Sequence, residues 1–278
     1  MTTDKINKLI DIAAEKIYEA SHVVALVGAG MSAESGIPTY RGSGGIWTKI
    51  GEPDPRSFQN FMNDPKLWWE RMLNPDRVNV ESPERAKFTK ALAEAKPNPG
   101  HFALVELEKI GKLDTIITQN VDGLHRIAGN NNVAEIHGNR NYYRCLDCSS
   151  RFLRDEFMII DIPPKCPNCQ GMIKGDGVMF GEPIPSDVLA RCITAAQNCD
   201  AMLVLGTSGT VYPAASFPTE AYMNGAYIVE INPERTPISD VVTTQIAGAT
   251  GDILPLLVAK IQDGIIISYL FGTKYYGV

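Results

Sequence analysis

The chain has 278 residues, and 44% of them are hydrophobic, which is enough to fill the core of one large domain or of a large domain that carries a smaller one. It contains 26 Lys and Arg residues and 32 Asp and Glu residues, so the formal net charge is −6. This balance gives no overall positive field that would attract nucleic acid or an anionic membrane. We expect a globular protein that binds neither of them directly.

We predict that both ends of the sequence belong to the globular fold. Residues 1–20 place apolar side chains at helical spacing, but charges interrupt them throughout, unlike the apolar region of a secretory signal. They predict an amphipathic helix and a cytoplasmic location. The apolar run "GIIISYLFG", residues 264–272, is far shorter than the roughly 20 residues that cross a bilayer, and we expect it to form a strand or a packing tail.

Short apolar runs alternate with helical patterns along most of the chain. Five runs predict strands: "HVVALVG" (22–28), "DTIITQN" (114–120), "VAEIHG" (133–138), "AMLVLGTS" (201–208) and "AYIVEINPE" (226–234). A nearly continuous apolar run is typical of a parallel strand that is buried on both faces. The alternation therefore predicts an α/β fold with an open, doubly wound parallel sheet and helices on both faces.

Two stretches interrupt this alternation and are expected to be insertions. Residues 54–96 are punctuated by proline and helical in pieces, which predicts a small helical insertion. Residues 141–175 contain two close pairs of cysteines and few long apolar runs, which predicts a module that a metal holds together. The doubly wound domain then comprises residues 1–53, 97–140 and 176–262, and residues 263–278 form a C-terminal tail to which we assign no role.

Four of the six cysteines form two C-x-x-C pairs separated by seventeen residues, namely Cys145, Cys148, Cys166 and Cys169. This spacing matches a tetrahedral four-cysteine zinc site, and in a chain without an export signal it favours a metal over disulfides. Protein ligands would fill all four positions, so no position stays open for water or substrate. We therefore expect one zinc ion with a structural role.

The stretch "GAGMSAESGIPTYRGSGGIW", residues 28–47, follows the first predicted strand and contains six glycines. Backbone N–H groups in such a loop can approach a pyrophosphate, and a following helix N-terminus would face its charge. The third glycine is Gly36, so the spacing departs from the dinucleotide fingerprint G-x-G-x-x-G. A tight turn with a mobile loop remains the alternative. Arg41 could offer a fork of donors to a phosphate or could be a solvated charge.

Polar residues also follow the later strands, at the sheet edge where doubly wound folds bind ligands. Asn120 and Asp122 follow the second strand, Gly206-Thr207-Ser208 follows a later one, and Asn232 ends the last predicted strand, where a ribose hydroxyl would sit. Each of these could alone be an ordinary turn. Their number at one edge favours a binding crevice.

Two of the four histidines, His125 and His137, end segments at this crevice. An imidazole there could serve as a general base, and position alone does not choose between the two. His22 opens a strand and His101 begins a helix, and we expect both to be structural.

Taken together, these motifs resemble the sirtuins, a family of NAD-dependent protein lysine deacylases. The resemblance covers about residues 5–260 and adds to the glycine-rich stretch and the cysteine pairs "TQNVDGLH" (118–125), "HGN" (137–139), "FGE" (180–182), "GTS" (206–208), "VYPAA" (211–215) and "INPE" (231–234). It implies a Rossmann-type NAD-binding domain beside a small zinc-bearing domain. It also implies transfer of an acyl group from lysine to ADP-ribose, with release of nicotinamide.

The resemblance implies roles for individual residues. His137 is the implied general base that activates a ribose hydroxyl, His125 lies in a supporting shell, and Asn120 and Asp122 belong to the catalytic pocket. The residues implied to bind NAD are Gly28, Ala29, Gly30, Ser32, Glu34, Ile37, Tyr40, Arg41, Trp47, Gln119, Asn120, Val121, Asp122, Gly206, Thr207, Ser208, Asn232, Pro233, Glu234 and Thr250.

The same resemblance implies how an acyl-lysine protein or peptide would bind. It would add as a strand between residues 178–182 and residues 209–212, a mode that reads backbone more than side chains. The residues implied to contact it are Val178, Phe180, Gly181, Glu182, Gly209, Val211 and Tyr212. Three glycines depart from the family's common pattern in this region: Gly175 stands where proline is usual, and Gly177 and Gly209 stand where aliphatic residues are usual.

The family members that remove succinyl and malonyl groups carry a Tyr-x-x-Arg pair that holds the acyl carboxylate. Met72 and Pro75 occupy the corresponding positions in this chain, so we expect neutral acyl groups, acetyl first. Two other functions are weighed against deacylation. One is a protein mono-ADP-ribosyltransferase or NAD hydrolase that uses the same pocket, and the other is a non-catalytic NAD-sensing module, against which an intact general base argues.

Overall fold

The computed structural model describes residues 3–42, 44–74 and 82–271, with the side chains of residues 266–271 left out. The helices are α1 (Thr3–Glu19), α2 (Ile46–Ile50), α3 (Ser57–Asn63), α4 (Pro65–Leu73), α5 (Pro83–Glu94), α6 (Pro99–Lys109), α7 (Leu124–Ala128), α8 (Ser186–Asn198), α9 (Phe217–Met223) and α10 (Thr250–Phe271). The strands are β1 (Val23–Val27), β2 (Thr115–Thr118), β3 (Val133–Glu135), β4 (Tyr142–Cys145), β5 (Arg151–Leu153), β6 (Ile173–Gly175), β7 (Ala201–Leu205), β8 (Tyr227–Ile231) and β9 (Thr244–Ile246). Short 3₁₀ helices span Ala29–Ser35, Ala214–Ser216 and Pro237–Asp240.

The main sheet has six strands in the order β3-β2-β1-β7-β8-β9, and every neighbouring pair is parallel. The chain builds outward from β1 to β3 and then returns to the other side of β1 with β7, so the strand order reverses between β1 and β7. Ligands bind at this reversal in doubly wound folds. The predicted α/β class is confirmed, and β9 is an additional strand that the sequence patterns did not predict.

The core lies on both faces of this sheet, as the apolar strand sequences require. Alternate residues of β1 point to opposite faces. Val23, Ala25 and Val27 belong to the cluster with α1, α6 and α10, whereas Val24 and Leu26 belong to the cluster with α8 and α9. Burial on both sides fixes the positions of the loops that leave the carboxyl ends of the strands.

The loops after β1 and β7 meet backbone to backbone at the reversal point. The Gly28 N–H donates to the Leu205 carbonyl at 2.9 Å, and the Gly30 N–H donates to the Gly206 carbonyl at 2.7 Å. Gly206 adopts a φ of +54°, and a Cβ built on Gly30 would lie 2.8 Å from the Gly206 Cα. Only residues without side chains allow this approach.

A second, antiparallel sheet of the order β5-β4-β6 forms beside the main sheet. Trp69 of α4 packs on it with Tyr143 and Ile173, and its indole N–H donates to the Ile173 carbonyl at 3.1 Å. Both Trp69 and Ile173 are fully buried. The two predicted insertions therefore share one small core.

The four paired cysteines lie together at the edge of this small core. Their sulfur atoms are all within 4.8 Å of one another, with Cys145 and Cys169 separated by 3.5 Å and Cys148 and Cys166 by 3.7 Å. Four thiolates bound to zinc at about 2.3 Å in a tetrahedron lie about 3.8 Å apart. The arrangement fits one zinc ion whose ligands are all supplied by the protein.

The apolar run near the C-terminus corrects a sequence expectation. A strand or packing tail was predicted for residues 264–272, but α10 continues as a helix through Phe271. Its earlier turns already pack Leu254, Leu257 and Ile261 into the core, and adding residues to an established helix is favourable. In the part of the chain that the structure describes, no helix has both the length and the apolar character needed to span a membrane.

Replacing Gly30 with alanine is expected to lower the free energy of unfolding by about 1–3 kcal/mol, because the added Cβ meets backbone atoms of Gly206 that cannot yield. Urea unfolding monitored by circular dichroism measures the loss. Gly177→Ala is the matched control, since a Cβ there meets nothing within 4 Å, and a change within about 1 kcal/mol is expected. Equal, small changes in the two variants would contradict the close-packing account.

Metal analysis is expected to give one zinc ion per chain, and Cys145→Ser should remove most of it. Loss of the metal should loosen the small sheet and shift tryptophan fluorescence to longer wavelength, because Trp69 is buried against that sheet. Cys192→Ala is the control, since Cys192 lies in the α8 core away from the cluster, and it should leave the zinc content unchanged. A metal-free chain with unaltered tryptophan fluorescence would show that zinc does not hold this module together.

Candidate functional site

A cavity of about 940 Å³ opens at the carboxyl ends of β1, β2, β7 and β8. Its walls are completed by residues 39–42, by residues 178–184 that follow the small sheet, and by Ala249 and Thr250 at the start of α10. The cavity thus lies at the reversal of strand order, where the sequence placed the crevice.

Most of the predicted site residues line this cavity. Those from the predicted cofactor set are Gly28, Ala29, Gly30, Glu34, Tyr40, Arg41, Trp47, Gln119, Asn120, Val121, Gly206, Thr207, Ser208, Asn232, Pro233, Glu234 and Thr250. His137 lines it as well, together with Val178, Phe180, Gly181, Glu182, Val211 and Tyr212 from the predicted substrate set. Ser32, Ile37, Asp122 and Gly209 do not line it.

The loop formed by Gly28, Ala29 and Gly30 is held in place by backbone hydrogen bonds. Because the N–H groups of Gly28 and Gly30 already donate to Leu205 and Gly206, they are not available to a pyrophosphate, contrary to the expectation from the sequence. These glycines instead let the loop lie directly against the loop after β7, because a Cβ on Gly28 would come within 2.6 Å of the Thr207 Cα and one on Gly30 within 2.8 Å of the Gly206 Cα. The 3₁₀ helix that follows ends at Gly36, whose φ is +85°.

Thr207 connects three of the loops around the cavity. The Gln119 side-chain amide donates to the Thr207 hydroxyl at 2.9 Å, and the Asn232 amide donates to the Thr207 carbonyl at 2.9 Å. The loops after β2, β7 and β8 are thereby fixed relative to one another. Sequence alone marked each of these residues as polar but gave no sign that they bind each other.

Asn120, Ser32 and Asp122 form a buried hydrogen-bonded chain at one end of the cavity. The Asn120 amide donates to the Gly28 carbonyl at 3.0 Å and to the Ser32 hydroxyl at 3.1 Å, and that hydroxyl donates to Asp122 at 2.8 Å. Burial raises the pKa of Asp122, and hydrogen bonds from the Leu124 N–H and Ser32 oppose the rise. Asp122 and Ser32 therefore support the wall residue Asn120 from behind.

His137 has a ring orientation that suits a proton acceptor. Its Nδ1 lies 3.1 Å from the Gln119 carbonyl, which can only accept, so Nδ1 carries the proton and Nε2 is left with the lone pair. Burial lowers the pKa of His137, and the bond to Gln119 partly opposes this. The imidazole is thus held neutral at the cavity wall.

His125 has a different environment. It is buried against His101, with ring centroids 4.9 Å apart, and within the described residues neither of its ring nitrogens has a hydrogen-bond partner. Burial lowers the pKa of His125 well below its ordinary value, with a smaller contribution from His101. Because His125 does not line the cavity, the geometry favours His137 over His125 as the base.

An aromatic group covers one side of the cavity. The Trp47 ring lies 4.9 Å from Tyr40 and 5.7 Å from Phe180, measured between centroids. Arg41 stacks on Trp47 at 4.5 Å and donates to Glu52 at 3.1 Å, so its guanidinium is partly engaged rather than fully free for a phosphate. Burial, with a smaller contribution from the Asp122 charge, raises the pKa of Tyr40 to about 12, which keeps the phenol neutral.

The start of α10 contributes a polar corner. The Glu34 carboxylate accepts a hydrogen bond from the Gly251 N–H at 2.6 Å, which places an anion at the positive end of this long helix. The adjacent Thr250 hydroxyl is buried, and no partner for it exists among the described residues. An unpartnered hydroxyl at the cavity wall suits a polar ligand group such as that of a nucleotide.

A buried ionic network behind residues 178–182 was missed by the sequence analysis. Glu182 lines the cavity, but its carboxylate pairs with Arg144 of β4 and with Lys174 of β6, and Arg144 also pairs with Asp176. All four side chains are almost completely buried. The only sequence signal was a charged residue inside each of two short apolar segments, "YYRC" and "IKG".

Comparison with known proteins identifies the relatives of this chain. The model of the Sir2 family matches residues 28–213. The chain is 41% identical over 251 residues to an NAD-dependent protein deacylase of Pyrococcus furiosus, which covers 88% of this chain and 95% of that protein.

Two solved structures with bound ligands have the same fold. A Sir2 homologue in complex with NAD has a TM-score of 0.73 and 36% identity, covering 90% of this chain and 93% of that chain. Sir2Af2 bound to a myristoylated histone peptide has a TM-score of 0.63 and 31% identity, covering 92% of this chain and 97% of that chain. The resemblance of the sequence motifs to sirtuins is confirmed, and the chain belongs to the Sir2 family.

Proposed function

We propose that this protein is an NAD-dependent protein lysine deacylase, with acetyl-lysine as the first substrate class. The observation that carries the proposal is one cavity whose wall combines a neutral, oriented imidazole, that of His137, with the glycine floor and the residue 178–182 segment. The NAD complex and the acylated peptide complex of the structural neighbours support both ligands.

When bound, NAD supplies an ADP-ribosyl group that accepts the acyl group as nicotinamide leaves. The floor formed by Gly28, Ala29 and Gly30 would admit the pyrophosphate, since no side chain larger than a methyl stands there. Oxygen atoms of Asn232 and Glu234 would accept hydrogen bonds from hydroxyls of the adenosine half. The adenine would lie near Thr250, whose hydroxyl is unpartnered among the described residues.

The remaining predicted roles are assigned to the opposite end of the cavity. Asn120, held by Gly28 and Ser32, would orient the nicotinamide and ribose end, and Asp122 would hold Ser32 for that purpose. Nε2 of His137 would take a proton from a ribose hydroxyl, while the Gln119 carbonyl keeps the ring in the required tautomer. Trp47, Tyr40 and Phe180 would exclude water from the reacting atoms.

The acyl-lysine substrate would add between residues 178–182 and residues 209–212. Val178, Phe180 and Val211 line this side with apolar surface, joined by Ile184 and Leu189, which the sequence analysis did not name. This lining favours a neutral acyl group. Met72 packs against the small core and does not line the cavity, and Pro75 lies outside the described residues.

The broader assignments are proposals of the same kind. We propose that residues 54–96 and 141–175 form the small domain and that the other segments up to residue 262 form the NAD-binding domain, which the packing of Trp69 on Ile173 supports. A cytoplasmic location suits four cysteines that lie together without forming disulfides. The net charge of −6 favours basic, lysine-rich polypeptides over nucleic acid as partners.

Incubation with NAD and a panel of acetyl, longer-chain acyl and succinyl lysine peptides tests the proposed function. The acetyl peptide should be converted to the peptide with an unmodified lysine. Because the cavity lining is apolar, peptides with longer neutral acyl chains should also react in preference to the succinyl peptide. Mass spectrometry of the peptides measures this directly. If no peptide on the panel loses its acyl group, the proposed function is wrong.

His137→Ala is expected to lower the rate of deacylation by about 100-fold to 10,000-fold, the range usual for loss of a general base. NAD binding, measured by calorimetry, should change little, because the Nδ1 of His137 bonds to the Gln119 carbonyl and not to the loop of Gly28, Ala29 and Gly30. His22→Ala is the control, since His22 is exposed at the other end of the sheet and should retain full activity. Undiminished deacylation by His137→Ala would exclude the base role.

The pH dependence of kcat/KM should show an acid limb with its midpoint below 6.5. Burial lowers the pKa of His137, so the neutral form that accepts a proton persists to lower pH than for a free histidine, and activity falls as pH drops through the shifted pKa. The residual activity of His137→Ala should lack this limb. A midpoint above 6.5 in the wild type would contradict the assigned environment.

A further inference from the structure

Lys174 is a completely buried lysine on β6, and it lies outside the lining of the cavity. Its ammonium donates to the Gly175 carbonyl at 2.7 Å and to the Gly177 carbonyl at 2.6 Å, and it lies 3.0 Å from a carboxylate oxygen of Glu182. An ammonium group has three N–H donors, and three oxygens of one chain segment surround this one.

The segment held in this way is the one that forms the proposed peptide-binding wall. Lys174 contacts its start, through Gly175 and Gly177, and its end, through Glu182. The same Glu182 carboxylate accepts a hydrogen bond from the Met179 N–H at 2.8 Å, and the Val178 N–H donates to the His137 carbonyl at 2.9 Å. Residues 178–182 are therefore bonded to the backbone of His137 on one side and to Lys174 on the other.

The glycines explain why this segment needs such a contact. A Cβ on Gly177 would meet nothing within 4 Å, and Asp176 supplies the only side chain beyond Cα between residues 175 and 177. Glycine also leaves the unfolded and loosened backbone with more freedom than other residues do. Hydrogen bonds from the ammonium to the Gly175 and Gly177 carbonyls restrain the two glycines, while Asp176 between them is held by its own ion pairs.

Lys174 lies in a buried cluster of charged side chains. Arg144 binds the second oxygen of Glu182 at 2.5 Å and Asp176 at 3.2 Å, and Arg151 pairs with Asp176 at 2.6 Å, so Lys174 belongs to a connected cluster of cations and carboxylates. Burial lowers the pKa of Lys174, and the Glu182 charge opposes that change. Removing Lys174 takes one cation out of this cluster and leaves Glu182 paired with Arg144, so the segment loses a balancing charge as well as three contacts.

We propose that Lys174 is a positioning residue for the peptide substrate: by holding the Gly175 and Gly177 carbonyls and Glu182, its ammonium fixes residues 178–182 in the place where an acyl-lysine peptide adds. The proposal rests on the proposed deacylase function, and it names a residue that does not itself touch peptide or NAD.

Lys174→Met is expected to raise the KM for an acetyl-lysine peptide by about tenfold or more, while kcat stays within about threefold. The variant loses the preorganised edge that binds the peptide but keeps the groups that react. The affinity for NAD should stay unchanged. Lys174→Arg keeps a cation and its donors and should recover most of the lost peptide affinity. Lys66→Met removes an exposed lysine of the neighbouring helical insertion and should behave as the wild type.

Hydrogen exchange separates this inference from the proposed function, since it needs no substrate. Lys174→Met should speed amide exchange across residues 178–182 and leave β1 and β7 protected as in the wild type. If the wild type deacylates no peptide, the proposed function fails, and the exchange result still decides whether Lys174 holds the segment.

Zinc content and thermal unfolding establish that each variant is folded. Should Lys174→Met fail to fold, Glu182→Gln weakens the same contact from the other side and is expected to give the same faster amide exchange across residues 178–182. An unchanged KM and unchanged exchange in the folded variant would overturn the inference. Equal losses of peptide and NAD affinity would overturn it as well, because they indicate general loosening rather than positioning.

Discussion

The close approach of two backbones, at Gly28–Gly30 after β1 and at Gly206 after β7, is the constraint on which the rest of the site depends. Two N–H groups of one loop bind carbonyls of the other, and there is no room for a side chain between them. Next to this contact, the Asn120 amide donates to the Gly28 carbonyl, and the Gln119 and Asn232 amides donate to Thr207. The loops that form the cavity wall are therefore held together at one place. The glycines thus serve the site mainly by setting its floor.

The small sheet β5-β4-β6 contributes more than a place for zinc. Its strands β4 and β6 carry Arg144 and Lys174, which bind Glu182 and Asp176 on either side of the proposed peptide wall. Asp176 also accepts the N–H of Asn139 at 2.7 Å, two residues beyond His137. The small core beside the cysteine cluster is therefore connected through buried charges to the loop of His137 and to residues 178–182. That connection gives a physical reason why the two proposed domains would act as one catalytic unit.

The sequence was informative wherever a local pattern determines structure. Apolar runs that end in polar residues predicted five of the six main strands and the edge at which Asn120, His137 and Asn232 meet, and the cysteine spacing predicted the sulfur cluster. β9 was missed because three residues, Thr244–Ile246, make too short a pattern. The Lys174–Glu182 pair and the Arg41–Glu52 contact were missed because a charged residue does not reveal in sequence whether a distant partner buries it.

Product accounting tests the central claim, that one cavity brings NAD and an acyl-lysine together for acyl transfer. With NAD and an acetyl-lysine peptide, the account predicts equal amounts of nicotinamide, peptide with free lysine and acetylated ADP-ribose, and little nicotinamide when the peptide is left out. Mass spectrometry of a single incubation quantifies all three products. Nicotinamide released with the acetyl group still on the peptide, or ADP-ribose attached to protein, would contradict it.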